Sequence, residues 1–230
     1  MKNKLVILGF LSSMYLTSCT VYQPNLADIP LINQKHELRV DAGGSLVPPK
    51  VNATISYGLT DKIAVQTFGN TDVDQGYFIQ GALGYYKDLG ENKVMEIYGG
   101  YGSGYGDAYN DANPGDLIGH YQTYFTQFNL GKVNGSFAHV DYGFGVKAGL
   151  LHSTLADKNY YRLDYPDNGS ILDYKDNSLL IEPTGFIRFG GERLKVNFKL
   201  GGCWMYKFTN TNRHLPYSPA NLGIGLNYMF

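Results

Sequence analysis

Charge is scarce in this chain. Asp, Glu, Lys and Arg make up 17% of its 230 residues, against about a quarter in ordinary soluble domains. The net charge is −1, so no basic face is offered to a nucleic acid. After residue 19 no run is apolar enough for a transmembrane helix. No convincing helical period and no repeat of fixed length is found. A helical bundle and a repeat array are therefore excluded. Glycine (29) and tyrosine (20) are over-used instead, which points to β-structure with close backbone contacts and aromatic surfaces.

Cysteine is equally sparse, with Cys19 and Cys203 alone. Lys2 and Lys4 precede "LVILGFLSSMYL", an apolar run too short to span a bilayer. A charged start and a short apolar core make a secretory signal, which is set aside from fold reasoning. The run ends Leu16-Thr17-Ser18-Cys19. This resembles a bacterial lipobox. The resemblance implies that residues 1–18 are removed and that Cys19 is acylated as the first mature residue. An acylated Cys19 leaves Cys203 without a disulfide partner, despite the exported setting. Cys203 then reads as a small packed residue. Residues 19–35 carry two prolines and no clean period. They are expected to be a lipidated tether to a domain covering 36–230.

From residue 36 onward the sequence alternates. Ten segments are marked, at 36–47, 50–59, 62–69, 77–87, 93–105, 121–131, 136–151, 178–190, 194–208 and 220–230. Most show period two, the mark of a strand with two unlike faces. In 194–208 one face holds Leu194, Val196, Phe198, Leu200, Trp204 and Tyr206, and the other Lys195, Asn197, Lys199, Cys203 and Lys207. The connections alternate too. Those at 59–62, 88–92, 132–135 and 190–193 are short. Those at 70–76, 106–120, 152–177 and 209–218 are longer, with 47–50 a short exception. Short turns on one side and long loops on the other are the asymmetry of an outer-membrane barrel.

A sheet in a bilayer must close on itself, because lipid supplies no hydrogen-bond partner. Its outward teeth must be apolar, while inward teeth are free to be polar or glycine. The C-terminal "NLGIGLNYMF" fits that rule. Leu222, Ile224, Leu226, Tyr228 and Phe230 alternate with small or polar residues. Gly225, Tyr228 and Phe230 also resemble the C-terminal signal by which barrel-assembly machinery selects its clients, although the usual polar residue is absent at Gly223. Tyr57, Tyr77, Tyr85, Tyr101, Tyr105, Trp204, Tyr206, Tyr228 and Phe230 fall on the outward face, mostly near strand ends, as aromatic girdles do. A soluble tethered β-domain would alternate without needing those girdles. The expected fold is thus all-β: an up-and-down antiparallel transmembrane β-barrel of about ten strands.

The inward face collects Arg39, Asp41, Glu96, His139, Asp141, Lys147, Glu182, Arg188, Lys195 and Lys199. Both signs are present in similar numbers. Side chains fill a barrel of this size, so the expectation is a lumen plugged by ion pairs. The alternative is a narrow channel for ions or small solutes, weakly selective because its charges are mixed. Enzyme constellations are thin. Omptin proteases have ten strands, with an acidic pair and an Asp-His pair at the rim. Asp72 and Asp74 have the acidic spacing, but no Asp-x-His exists and His214 lies in "NTNRHL". His152 and Ser153 are adjacent, so on a strand they face opposite ways. That does not make the nucleophile and base of a lipid hydrolase. "DAYNDANPGD" lacks the spacing and closing Glu of a calcium loop. Tyr160, Tyr161, Tyr165 and Tyr174 in the longest loop offer an aromatic contact surface.

A barrel joined to a lipid anchor resembles the small outer-membrane lipoprotein barrels of Gram-negative bacteria, Bacteroidetes in particular. The likeness covers the whole chain and rests on general features, with no characterised family named. It implies a non-enzymatic structural or interaction component without cofactor or metal. Expected partners are outer-membrane lipid, the assembly machinery and another outer-membrane protein. An even strand count returns the C-terminus to the side of the N-terminus. "TVYQPN" after Cys19 lacks the acidic cluster of surface-sorted lipoproteins. The lipid is therefore expected in the periplasmic leaflet.

Overall fold

The computed structural model describes residues 21–22, 26–47, 49–72, 76–108, 117–134, 139–157, 173–208 and 217–230. Ten strands occupy them. They are β1 (Leu38–Val47), β2 (Pro49–Gly58), β3 (Ile63–Asp72), β4 (Tyr77–Gly90), β5 (Lys93–Ala108), β6 (Leu117–Lys132), β7 (Asp141–Asp157), β8 (Asp173–Gly190), β9 (Leu194–Gly202, resuming as Trp204–Lys207) and β10 (Ala220–Met229). Each pairs antiparallel with the next. The ring closes where β1 meets β10, from Arg39↔Met229 to Val47↔Leu222. This is the expected up-and-down barrel.

β9 is one strand with a break. Both halves pair with β8 in a single register, Thr184↔Gly201 and Ile181↔Trp204. That register brings Pro183 opposite Gly202, the last residue before the gap. Proline has no N–H to give to a ladder. On the other side, the backbone N–H of Cys203 donates to the Pro219 carbonyl at 2.9 Å, in register with the β9–β10 ladder.

At one end the turns are tight. Glu91 and Asn92 join β4 to β5 with φ of 53° and 61°, the left-handed pair that suits a two-residue hairpin. β5 to β8 are the longest strands, at 16 to 18 residues. They extend toward the other end, where the long connections lie.

The outer face is apolar. Val51, Leu200 and Trp204 are 66%, 64% and 73% exposed. On β10, Ala220, Leu222, Ile224, Leu226 and Tyr228 form the outward row. Among the described outward teeth, the charged ones are Lys87, Lys93, Lys132 and Lys175, all near strand ends. Between them runs a belt without charge. Leu46 and Val51 carry that belt to the long-loop rim on the β1–β2 side.

Candidate functional site: the filled lumen

The lumen holds the chain's own beginning. Val21, Tyr22 and the run from Leu26 to Ile32 are buried inside the ring. The expected tether of 19–35 is corrected here, since its described residues from 21 to 32 are packed in the barrel. The segment enters beside the long-loop end, where Tyr22 bridges Tyr217. It leaves at the short-turn end, where the N–H of His36 donates to the Gly58 carbonyl at 2.8 Å. A turn through His36, with φ of 65°, then feeds β1.

Between that bridge and the turn at His36, the described residues 26–32 have no sheet neighbour for their backbone. Buried backbone groups must still be paired. Wall side chains do this. Gln66 Nε2 and Gln127 Nε2 both donate to the Asp28 carbonyl, at 3.2 and 2.8 Å. Arg188 donates to the Ile29 carbonyl at 2.5 Å. The Ala27 N–H donates to Thr184 Oγ1 at 3.0 Å, and the Ile32 N–H to Glu96 Oε1 at 2.8 Å. Each such bond is worth about 1 kcal/mol net, and orphaning either partner costs about 1–3 kcal/mol.

Side chains fix the register of the segment. Asp28 Oδ1 meets Lys199 Nζ at 2.7 Å, and that ammonium also meets Asp41 Oδ1 at 2.9 Å. Asn197 donates to the second Asp41 oxygen at 2.7 Å. Tyr22 donates to Glu182 Oε1 at 2.8 Å, whose other oxygen pairs with Lys147 at 2.7 Å. Inward glycines make room. A Cβ at Gly201 or Gly223 would lie 2.6 Å from a Leu26 methyl, and one at Gly131 would lie 2.7 Å from Leu31 Cδ1.

Apolar layers close both ends of the polar middle. Near the long loops Tyr22 sits edge-on to Tyr121, with centroids 5.2 Å apart, and Phe78, Leu151, Leu155 and Leu180 complete the cluster. Toward the turns, Ile29 and Leu31 pack with Val94 and Phe186, and Ile32 with Tyr86 and Tyr98. A void beside Leu26, Asp41, Asn197 and Lys199 measures about 10 Å³, room for roughly one water.

Nine of the ten residues expected in the lumen are buried there: Arg39, Asp41, Glu96, Asp141, Lys147, Glu182, Arg188, Lys195 and Lys199. Their bonds divide two ways. Lys195 pairs with Asp141, and Arg39 with Glu37. Among the described residues Glu96 takes no cation; it accepts from Ile32, Asn129 and Tyr98. The Arg188 guanidinium lies 4.4 Å from the Phe186 ring centroid. His139 is the exception. It sits exposed in the turn before β7 with φ of 51°, because the strand begins at Asp141 and not at the expected residue 136. Gly225 packs against β1, where a Cβ would lie 2.7 Å from the Ala42 carbonyl oxygen. Tyr228 and Phe230 pair edge to face at 4.7 Å, and the Phe230 N–H donates to Leu38 at 3.0 Å.

His152 points outward, with Nδ1 2.7 Å from Asn177 Oδ1, while Ser153 is buried. The two face opposite ways, as adjacency requires. Cys19, Asp74, Tyr160, Tyr161, Tyr165 and His214 lie outside the described residues, and the side chains of Asp72 and Tyr174 do also. Asp28, Gln66, Gln127, Asn129 and Thr184 escaped sequence reasoning. One signal did point to them: "LADIPLI" at 26–32 is too apolar for a solvated linker.

These features define a closed antiparallel β-barrel whose lumen is occupied by its own N-terminal segment. The chain matches no family model and no curated protein. Among solved structures it is similar to the N-terminal β-barrel domain of Pseudomonas aeruginosa OprF. That alignment covers 85% of this chain and 98% of that one, at 13% identity and a TM-score of 0.36.

Proposed function

We propose that this chain is a non-enzymatic outer-membrane β-barrel lipoprotein that does not conduct and serves as a structural or interaction component. The apolar, charge-free belt on a closed sheet suits a bilayer, which no open sheet edge could enter. The short turns then face the periplasm and the long loops the outside. Lipidation at Cys19 and the Gly225, Tyr228, Phe230 signal belong to this reading, as do membrane lipid, the assembly machinery and a further outer-membrane protein as partners. The resemblance to Bacteroidetes lipoprotein barrels belongs to it too.

One observation carries the non-conducting part. Inward polar residues are spent on the backbone of residues 27–32 rather than on a water column. A channel lining leaves its polar groups to water and ions. Planar-bilayer recording of the purified full chain tests this. The expected result is a bilayer with no steady open state at any moderate voltage. Stable unitary currents from the unaltered protein would overturn the reading in favour of a narrow channel.

A further inference from the structure

The lumenal segment has a direction, and that direction bears on the anchor. Ile32 lies against Gly58 at the short-turn end. Val21 lies at the opposite end. A Cβ at Gly106 would come 2.2 Å from the Val21 carbonyl oxygen, and one at Gly119 would come 2.6 Å from Val21 Cγ1. Gly106 and Gly119 face each other two pairs below the last pair of the β5–β6 ladder, Ala108↔Leu117.

Outward aromatics mark that level on the outer face. Above the paired row of Tyr101, Tyr124 and Leu150 on β5, β6 and β7, the outward aromatics continue to Tyr105, which stacks on Tyr77 of β4 with centroids 6.2 Å apart. Ser103, Gln122 and His152 form the row between those two levels. Gly106 is five residues beyond Tyr101. At about 3.3 Å per residue on strands tilted about 40°, that is roughly 13 Å above the Tyr101 row, and one residue beyond Tyr105. Val21 therefore lies level with the Tyr77–Tyr105 pair, at the long-loop boundary of the membrane, where aromatic girdles sit. Thr20 alone separates it from Cys19, and two Cα steps reach at most about 7 Å.

We infer that the acyl chains on Cys19 enter the outer leaflet of the outer membrane, on the cell-surface side of the barrel. The segment carries the mature N-terminus through the lumen, and the wall itself crosses back. On the β1–β2 side the belt rises to the rim at Leu46 and Val51, so lipid meets the mouth there. This leaflet is the opposite of the one suggested by strand parity and by "TVYQPN". Parity places the start of β1; it does not see the extra crossing before it. The inference rests on the barrel orientation proposed above.

The test uses the full chain in intact cells, with a site for an added protease inserted in one of three places. These are directly after Thr20, in the β7–β8 connection, and in the β8–β9 turn at Gly191. Each protein is first checked for retention of its unboiled gel mobility. Expected is cleavage after Thr20 and in the β7–β8 connection on intact cells, with the Gly191 site cut only after permeabilisation. Protection of the Thr20 site while the β7–β8 site is cut would overturn the outer-leaflet anchor and leave the barrel reading standing. Cleavage at Gly191 with protection at β7–β8 would overturn the orientation, and the anchor inference with it. A second measurement needs no insertion. A photo-crosslinker replacing Thr20 is expected to capture lipopolysaccharide, which occupies the outer leaflet, and capture of phospholipid alone would overturn the inference.

Discussion

Asp28 is where the seating of the lumenal segment can be measured. Lys199 Nζ lies between Asp28 Oδ1 at 2.7 Å and Asp41 Oδ1 at 2.9 Å. Asp28→Leu leaves the ammonium one carboxylate, so the loss is that of a hydrogen bond to a charged group, about 1.5–3 kcal/mol. Lys199→Met leaves the Asp28 carboxylate buried without its cation, and breaking a buried pair this way costs about 3–5 kcal/mol. Once Asp28 is apolar, the same Lys199 change has less to break. The double variant should therefore be less destabilised than the sum of the singles, by about 1–3 kcal/mol. Urea unfolding in lipid vesicles reads this through Trp204, the single tryptophan. Additivity within about 0.5 kcal/mol, the behaviour of independent sites, would refute the docked position of Asp28.

Gly58→Ala should destabilise by about 1–3 kcal/mol, as overpacking does, because its Cβ would lie 2.5 Å from the Gln34 carbonyl oxygen. Gly81→Ala, with nothing within 4 Å of the added atom, should be tolerated in the same unfolding assay. Trp204 emission should be quenched by brominated lipid in vesicles, while the adjacent buried Cys203 resists a maleimide until the barrel is unfolded. His139→Ala should change stability by less than about 0.5 kcal/mol, as surface substitutions do; a larger loss would return that residue to the lumen. Removal of Phe230 should lower the fraction of chain recovered as SDS-resistant barrel from cells.

Strand positions were legible because a two-faced wall writes itself into the sequence with period two. The β9 row from Leu194 to Leu200 alternates exposed and buried as read. His139 failed because alternation says nothing about where a turn stops and a strand starts. The lumenal segment was illegible for a different reason. A strand in a sheet shows its pattern because its neighbours impose two environments on it. Residues 26–32 are surrounded on all sides, so nearly every position is buried and no period survives. Its partners are far away in sequence: Lys199 is 171 residues from Asp28, and Gln127 is 99. Inward glycines such as Gly201 and Gly223 read simply as a narrow lumen, when they form the socket for Leu26.

The seam between β1 and β10 closes around the stretch of chain that immediately precedes β1. The molecule is therefore an axle within a ring made of the same polymer. One end of the axle is continuous with the ring through the turn at His36. On the proposed acylation of Cys19, the other end would carry bulky acyl chains. Such an axle cannot be inserted after the ring is shut, nor drawn out while it stays shut. On that reading, assembly is expected to lay the first residues in place before the last strand docks, and release of the axle to require the seam itself to part.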